Sequence, residues 1–379
     1  MKNIISNKLF CVIFILITNS IILSSFASCS SNPKETKATE FKMHKGINVS
    51  TWLSHTDALS GKEVEGYFTQ AHLNQLAEMG FDHIRLPIAE DLLYTSELNR
   101  DETTFRLLHD MIGWCKDANM TIALNLHLPR AGKKIVAQEE SQEERDKIVA
   151  IWNDLSSEFG KYPNKLVAYE IYNEPNFKSD SLWNAFATDM ISCIRKKEPE
   201  RIIILAPNAD NSIAKLPVLQ LPEDRKNIIV SVHYYQPAIL THYGVGKLKD
   251  IRVKLQYPGN IFPEGALDDK TEEETEVLKL FAGTFNLENH IERLTPVVEY
   301  AKNNEVRIRC GEYGSNNVYE NYDKENGQAM KVRYFTDVVK AFDQLGIPHC
   351  LWGYKATFGI FNKDGQLNNP DIITAITAP

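Results

Sequence analysis

Eight short apolar segments constrain the fold of this chain more than any other feature. Each follows turn residues, and stretches with helical periodicity separate them. Ile202–Ala206 is a continuous apolar run, as expected for a parallel strand covered on both faces. The predicted strands are Gly46–Ser50, Asp82–Pro87, Thr121–His127, Leu166–Asn173, Arg201–Pro207, Ile228–Tyr235, Val306–Tyr313 and His349–Tyr354. Strands and helices alternating over about 330 residues favour an α/β fold, a (β/α)8 TIM barrel.

The stretches between these strands predict amphipathic helices. One apolar face ends at Gly80, a residue suited to the position just after a helix. The three clearest faces are Leu73, Leu76, Ala77 and Met79; Phe105, Leu108, Ile112 and Cys115; and Ile148, Trp152, Leu155 and Phe159, which Gly160 follows. The main alternative is a doubly wound open sheet. That fold usually has a glycine-rich phosphate loop after its first strand, and Gly46–Val49 offers none.

The longest connection runs from Gln236 to about Asn286. Connections of this length are usually functional loops or insertions. The acidic run Asp268–Glu276 within it is predicted to be a solvated helix face rather than a calcium site.

Charge and cysteine usage exclude several kinds of partner. The formal net charge is −8, which makes nucleic acid and anionic membrane surfaces poor partners. Cys115, Cys193, Cys310 and Cys350 are far apart and form no Cys-x-x-Cys motif, so a zinc site is not expected. A disulfide is possible, but isolated cysteines in apolar segments are more often simply buried.

Polar and ionisable residues follow the predicted strands at matching positions. In a barrel, side chains at the carboxyl ends of the strands surround the active site. The residues at these ends are Arg85, His127, Asn173, Glu174, His233, Tyr235, Glu312 and Trp352. Any one of them has an ordinary structural explanation, such as a salt bridge or a core histidine. Their coincidence at one rim predicts a site.

Two carboxylates at one barrel mouth suit the hydrolysis of glycosides. One must be protonated to donate to the leaving oxygen, and the other must be ionised to attack the anomeric carbon. Arg85 could favour an ionised Glu312, and Tyr235 could donate a hydrogen bond to it. Glu174 precedes Pro175, which biases its backbone towards extended geometry.

The ordered set of strand-end residues resembles glycoside hydrolase family 5, the cellulase family. The resemblance covers about residues 44–375 and rests on Arg85, His127, Asn173-Glu174-Pro175, His233-x-Tyr235, Glu312 and Trp352. Gly46-Ile47-Asn48, the loop with Trp52, and Thr241-His242 also resemble the family's segments. The family resemblance implies retaining hydrolysis on a (β/α)8 barrel, with no cofactor and no metal.

The resemblance also implies a role for each residue. Glu174 would be the catalytic acid/base and Glu312 the catalytic nucleophile. The substrate-binding residues would be Arg85, His127, Asn173, His233, Tyr235, Trp352 and Trp52. Among these, Arg85 and Tyr235 would hold Glu312, Asn173 would bind the sugar 2-hydroxyl, and His127 and His233 would line the same subsite. Trp352 would stack beneath the sugar, whereas for Trp52 stacking and packing under a loop are equally open.

The expected function is therefore that of an endo-acting glycosidase on a β-1,4-linked glucan, acting as a monomer on poly- or oligosaccharide. β-Mannan, xyloglucan and mixed-linkage glucan remain alternative substrates, because all present equatorial linkages. A metal-dependent hydrolase on the same barrel is disfavoured, since the first strand has no His-x-His. A glycan-binding surface lipoprotein without activity is disfavoured because both glutamates are in place.

The amino-terminal residues predict export. Lys2 and Lys8 precede Leu9–Ile17, an apolar run too short to span a bilayer and typical of a signal peptide. Phe26-Ala27-Ser28-Cys29 resembles a bacterial lipoprotein signal, in which the cysteine is lipidated. Ordinary secretion, with Cys29 as a spare thiol, is the alternative. We expect a signal peptide over 1–28, a tether over 29–43, a catalytic domain over 44–379, and a location in the cell envelope.

Overall fold

A computed structural model describes residues 41–54, 61–127 and 138–377 of the chain. Its centre is a closed barrel of eight parallel strands. The barrel strands are β1 (Lys45–Asn48), β2 (His83–Ile88), β3 (Thr121–Leu126), β4 (Val167–Glu170), β5 (Ile203–Leu205), β6 (Ile228–Tyr234), β9 (Arg307–Tyr313) and β10 (His349–Leu351), while β7 (Gly259–Asn260) and β8 (Thr284–Phe285) form a separate antiparallel pair. The predicted (β/α)8 fold and all eight predicted strands are confirmed.

Parallel pairing between the first and last strands closes the barrel. Gly46 of β1 pairs with Cys350 of β10 on one side and with His83 of β2 on the other. A Cβ atom on Gly46 would lie 2.3 Å from the His83 ring, so only glycine fits beside this histidine. Aliphatic side chains of the strands fill the barrel and its interface with the helices, which is the expected core of this fold.

Helices surround the barrel. They are α1 (Gly61–Tyr67), α2 (Gln70–Glu78), α3 (Glu90–Leu93), α4 (Glu102–Asp117), α5 (Gln142–Phe159), α6 (Asp180–Lys197), α7 (Ala238–Thr241), α8 (Glu272–Lys279), α9 (Leu287–Asn304), α10 (Tyr319–Tyr322), α11 (Gly327–Leu345) and α12 (Pro370–Thr377). Asp101, Ser141 and Ser179 begin the three longer early helices by accepting a hydrogen bond from a backbone N–H of the first turn. Gly80 follows α2 with a φ of 99°, as its predicted role requires.

The connection from β5 to β6 departs from the regular alternation of strand and helix. Instead of a long α-helix it contains a turn, Asn208–Asn211, and a 3-10 helix, Ile213–Val218. Three consecutive residues of the turn, Ala209, Asp210 and Asn211, have positive φ angles. Pro217 stands inside the 3-10 helix and lacks the N–H that a continuing α-helix would need. One side of the barrel is therefore covered by a short segment.

The long connection after β6 has its own local structure. It contains α7, the β7–β8 pair and α8. The predicted acidic helix face is confirmed, because α8 begins with three glutamates, of which Glu272 and Glu273 are exposed, and with a reciprocal capping arrangement between Thr271 and Glu274.

Two further sequence predictions concern cysteines and membranes. Cys115, Cys310 and Cys350 are buried thiols, and none of the four cysteines in the described ranges forms a disulfide. No helix within the described ranges is long and apolar enough to cross a bilayer. Cys29 and the predicted leader lie outside those ranges.

Candidate active site

The carboxyl ends of the barrel strands open into one cleft with a volume of about 1460 Å³. The barrel closure brings together side chains that are far apart in sequence. The predicted site residues that line this cleft are His127, Glu174, His233, Tyr235, Glu312 and Trp352. The sequence therefore predicted the location of the site and most of its members.

Glu312 is held by two hydrogen-bond donors. Nη1 of Arg85 donates to its Oε1 at 2.6 Å, and the hydroxyl of Tyr235 donates to its Oε2 at 2.9 Å. The glutamate is 4 % exposed. One charged and one neutral donor thus hold the two oxygens of this carboxylate in place.

Arg85 acts behind the cleft rather than in it. It is fully buried and does not line the cleft, so it positions Glu312 and does not contact substrate. This corrects its predicted place in the substrate-binding set, while the predicted hold on Glu312 is seen directly. Burial opposes the charge of Arg85, but Glu170 and Glu312 outweigh that effect and raise the pKa of its guanidinium.

Two further contacts orient the guanidinium of Arg85. Nη1 also donates to Oδ1 of Asn48 at 2.8 Å, and Nη2 donates to Oδ1 of Asn173 at 2.7 Å. The amide oxygen of Asn173 is thereby fixed. Asn173 is 3 % exposed and is not among the residues that line the cleft, so its contact with the sugar 2-hydroxyl stays a prediction.

Glu170 and Arg309 extend this arrangement into the barrel and were not predicted. Glu170 accepts from Nε of Arg85 at 2.6 Å and from Nη2 of Arg309 at 2.5 Å. Burial alone would raise the pKa of Glu170, but the two arginines lower it. The buried charges thus alternate in sign from Arg309 through Glu170 and Arg85 to Glu312. The available signal for the two missed residues was a charged side chain inside a predicted strand, Leu166–Asn173 for Glu170 and Val306–Tyr313 for Arg309.

Glu174 is placed by an unusual backbone. Its φ angle is 45°, a left-handed conformation rather than the extended one predicted from Pro175. Its N–H donates to Oδ1 of Asn211 at 3.1 Å, and Nδ2 of Asn211 donates to the carbonyl of Ser231 in β6. Asn211 is fully buried. This residue, which was also not predicted, ties the backbone of the acid/base candidate to the neighbouring strand.

His233 lies between the two glutamates. Its Nδ1 is 3.0 Å from Oε1 of Glu174 and 3.5 Å from Oε2 of Glu312. One carboxylate oxygen of each glutamate lies within 4.8 Å of the other. Retaining glycosidases separate their carboxyl groups by about 5–5.5 Å and inverting ones by about 6.5–9.5 Å, so the short separation favours retention.

The same three side chains resemble a set of metal ligands. Glu174, His233 and Glu312 present oxygen and nitrogen atoms at a spacing that could hold an ion. Arg85, however, places a cationic nitrogen 2.6 Å from Glu312. That charge would repel a cation at this position, and the donor set fits the carboxylate chemistry better.

His127 and Trp352 form one wall of the cleft. Their ring centroids are 5.7 Å apart and their planes differ by 13°, so the rings stack. His127 is further oriented by Asn125, whose Oδ1 is 3.1 Å from Nδ1. Trp352 is partly exposed, which leaves ring surface for a sugar, in keeping with its predicted role as a platform.

Trp52 does not share this role. It is 0 % exposed, packs on Phe68 and donates from Nε1 to the carbonyl of Val64 at 2.7 Å. A buried ring with its N–H satisfied inside the fold has no face for a sugar. Its predicted place among the substrate-binding residues is therefore wrong, and packing under the loop is what the structure shows.

Comparison with known proteins agrees with this geometry. The family model described as Cellulase (glycosyl hydrolase family 5) matches residues 36–357. Endoglucanase C of Acetivibrio thermocellus is 23% identical over 345 residues, covering 87% of this chain and 97% of its own. Cellodextrinase A of Ruminococcus flavefaciens is 24% identical over 309 residues, covering 80% and 83% respectively.

A solved structure has the same fold. A hyperthermophilic endo-beta-1,4-glucanase in complex with substrate has a TM-score of 0.70 at 22% identity, covering 89% of this chain and 97% of that one. The match of the family model over most of the chain, together with the paired glutamates and their supporting residues, establishes the family. The chain belongs to glycosyl hydrolase family 5, the cellulase family, and is a glycosidase.

Proposed function

We propose that this protein is a retaining endo-β-1,4-glucanase that acts on soluble glucan chains by double displacement. The observation that carries the proposal is the pair Glu174 and Glu312. Their nearest oxygens lie within 4.8 Å, and only Glu312 is held by both Arg85 and Tyr235. The pair thus combines a short separation with different surroundings for its members, which is what a nucleophile and an acid/base require.

The reaction then assigns each glutamate one task per step. In the first step Glu312 attacks the anomeric carbon while Glu174 gives its proton to the leaving glycosidic oxygen. In the second step Glu174 takes a proton from water, which attacks the glycosyl-enzyme and releases Glu312. Nδ1 of His233 lies 3.0 Å from Oε1 of Glu174, a contact that holds this carboxyl group beside the glycosidic oxygen.

Internal cleavage is supported by the shape of the cleft. The cleft continues past the catalytic pair on both sides, towards Trp352 on one side and towards Ser212–Leu219 on the other. A chain can therefore lie across the pair. Relatives named endoglucanase and endo-beta-1,4-glucanase support the same specificity.

A panel of soluble polysaccharides with product sizing tests this proposal. We expect early release of mixed oligosaccharides from β-1,4-glucan or mixed-linkage glucan, with the β anomer forming first by NMR. Faster cleavage of β-mannan or xyloglucan would reassign the substrate. Binding of glucan with no reducing ends released would show a glycan-binding protein instead, and an initial α anomer would contradict retention.

We also propose that the protein is a lipid-anchored protein of the cell envelope. Support comes from the amino-terminal sequence, where Ala27-Ser28 precedes Cys29 and a polar segment follows. The family match begins at residue 36, which leaves Cys29 on the amino-terminal side of the matched residues. A tethered monomer would meet soluble chains at the cell surface or in the periplasm.

A further inference from the structure

The cleft continues from the catalytic pair onto the outside of the barrel. Besides Glu312, its lining includes part of the 3-10 helix Ile213–Val218 and one face of α9, as far as Asn303 and Asn304. Because α9 leads directly into β9, its carboxyl end lies towards the amino ends of the strands, away from the mouth. A cleft lined by both Glu312 and Asn303 therefore runs down the outer wall of the barrel.

This outer groove exists because the β5–β6 connection contains no long helix. In a regular barrel a helix after β5 would pack beside the helix after β6, which here is α9. The 3-10 helix Ile213–Val218 occupies only part of that place. The outer groove is defined by Ala214, Pro217, Pro296, Glu299 and Asn303.

The lining of the outer groove offers apolar groups for the CH face of a sugar and polar groups for its hydroxyls. Pro217 and Pro296 are exposed apolar rings that can pack against the CH face of a pyranose ring. The side chains of Glu299 and Asn303 are exposed and line the groove, so their polar atoms face a ligand that lies in it. From Pro296 to Asn303 the helix rises about 10 Å, which gives room for more than one sugar ring.

The position of the acid/base indicates which part of the substrate would enter. Glu174 follows β4, and β4 pairs with β5. On its other side β4 pairs with β3, the strand before His127, and His127 stacks on the predicted sugar platform Trp352. The sugar retained over Trp352 therefore occupies the β3 side of Glu174, and the leaving sugar extends towards β5. The outer groove begins where the β5 connection lines the cleft, so it extends the side of the leaving sugar.

We propose that the outer groove binds the leaving part of the glucan chain beyond the sugars next to the cleavage point. The proposal rests on the proposed glucanase function and deepens it. Cleavage would then favour long chains, because only they reach Glu299 and Asn303. A short glycoside with a small leaving group gains nothing from the groove.

The test compares long and short substrates in groove variants. Glu299→Ala combined with Asn303→Ala should raise KM for soluble β-1,4-glucan roughly five- to tenfold, since two polar contacts are lost. The value of kcat/KM for dinitrophenyl cellobioside should not change. Ala214→Trp, which fills the groove from its other wall at an exposed position, should also raise KM for the polymer only.

A matched control lies on the other face of the same helix. Glu292 and Lys302 are exposed and do not line the cleft, so Glu292→Ala combined with Lys302→Ala should match wild type on both substrates. A polymer KM raised in either groove variant supports the proposal. A wild-type KM in both would overturn it, whereas a wild type that cleaves no β-glucan would overturn the proposed function instead.

Discussion

Glu174 and Glu312 differ in the step at which each is indispensable, and substitution should separate them. Glu312→Ala should abolish turnover on every substrate, because no glycosyl-enzyme can form. Glu174→Ala should lose about 10²–10⁴-fold on polysaccharide, as is typical for removal of a general acid. It should still be glycosylated by a dinitrophenyl glycoside, whose leaving group needs little protonation.

Added azide completes this comparison. It should restore deglycosylation in Glu174→Ala, because it attacks without help from a base and fits the space of the lost carboxylate. Product analysis should find a glycosyl azide of retained configuration. The same product from Glu312→Ala, with Glu174→Ala silent, would mean that the two roles are reversed.

Asn211 allows a sharper test of how the acid/base is positioned. Asn211→Ala removes the acceptor for the N–H of Glu174, and a displacement near 1 Å can cost about 100-fold in rate. We expect a loss of 10- to 100-fold on polysaccharide, with a much smaller loss on a dinitrophenyl glycoside. The test measures kcat/KM for polysaccharide and for the dinitrophenyl glycoside. A ratio of the two values that falls below that of wild type supports the positioning role of Asn211.

Asn208 in the same turn provides the control. It is also buried, but it holds the backbone of Phe177 and the carboxylate of Asp180 rather than Glu174. Asn208→Ala should lower the melting temperature while leaving the ratio between the two substrates unchanged. Equal losses on both substrates in Asn211→Ala would indicate a merely structural role.

The sequence predicted which residues carry the chemistry better than it predicted what supports them. Strand ends can be identified from local pattern, so Glu174, Glu312 and Trp352 were placed correctly in the cleft. The contacts of Glu170 and Arg309 depend on the register between strands that are far apart in the chain, and no local pattern encodes it. Trp52 was misplaced because an aromatic residue in a loop has the same local signature whether its ring is buried or exposed.

At the level of elements, His290 joins α9 to the barrel and to the long connection. The hydroxyl of Tyr234 in β6 lies 2.7 Å from its Nδ1, and the hydroxyl of Tyr257 lies 3.0 Å from its Nε2. The hydroxyl of Tyr257 donates its hydrogen to Asp337 of α11, so it accepts a hydrogen bond from Nε2–H of His290. Nδ1 of His290 then accepts a hydrogen bond from the hydroxyl of Tyr234. This chain of hydrogen bonds requires a neutral imidazole.

The stability of the fold should therefore fall on acidification. Burial and the nearby Arg293 lower the pKa of His290 from 6.5 to about 4. Between these values the unfolded chain binds a proton that the folded one does not, so acid favours unfolding. The resulting decrease in the free energy of unfolding, from His290 alone, reaches about 3 kcal/mol at pH 4.

His290→Gln removes the titration and checks the sign. The variant should be less stable than wild type at pH 7, but the difference in the free energy of unfolding should shrink by up to about 3 kcal/mol as the pH falls to 4. Urea denaturation across this range measures it. Tyr257→Phe, which keeps the imidazole, should retain the pH dependence, and parallel curves for His290→Gln and wild type would contradict the assignment.

The elements themselves show where local pattern is sufficient and where it is not. Strands covered on both faces are continuous apolar runs, so all eight were predicted. The missing helix between β5 and β6 was not, because the alternation of strand and helix was extended over the whole barrel. Pro217 and Pro222 were the available signal, since each removes an N–H that a helix would need.

At the level of the whole molecule, the anchoring prediction concerns residues outside the described ranges. Cys29→Ala should release the protein from the membrane fraction, because acylation at this residue would be the only predicted attachment. Fractionation followed by immunoblotting measures this. Ser30→Ala should leave fractionation unchanged, and continued membrane association of Cys29→Ala would refute attachment through this cysteine.

The alternating charges from Arg309 to Glu312 have a consequence for how such a protein can change over evolutionary time. Arg309, Glu170, Arg85 and Glu312 all lie within strands, whereas the walls that a sugar meets come largely from the connections that follow the strands. Substitutions or insertions in those connections can exchange one polysaccharide for another without touching the charges that tune the nucleophile. The substrate preference of this barrel and the reactivity of its nucleophile can therefore evolve independently.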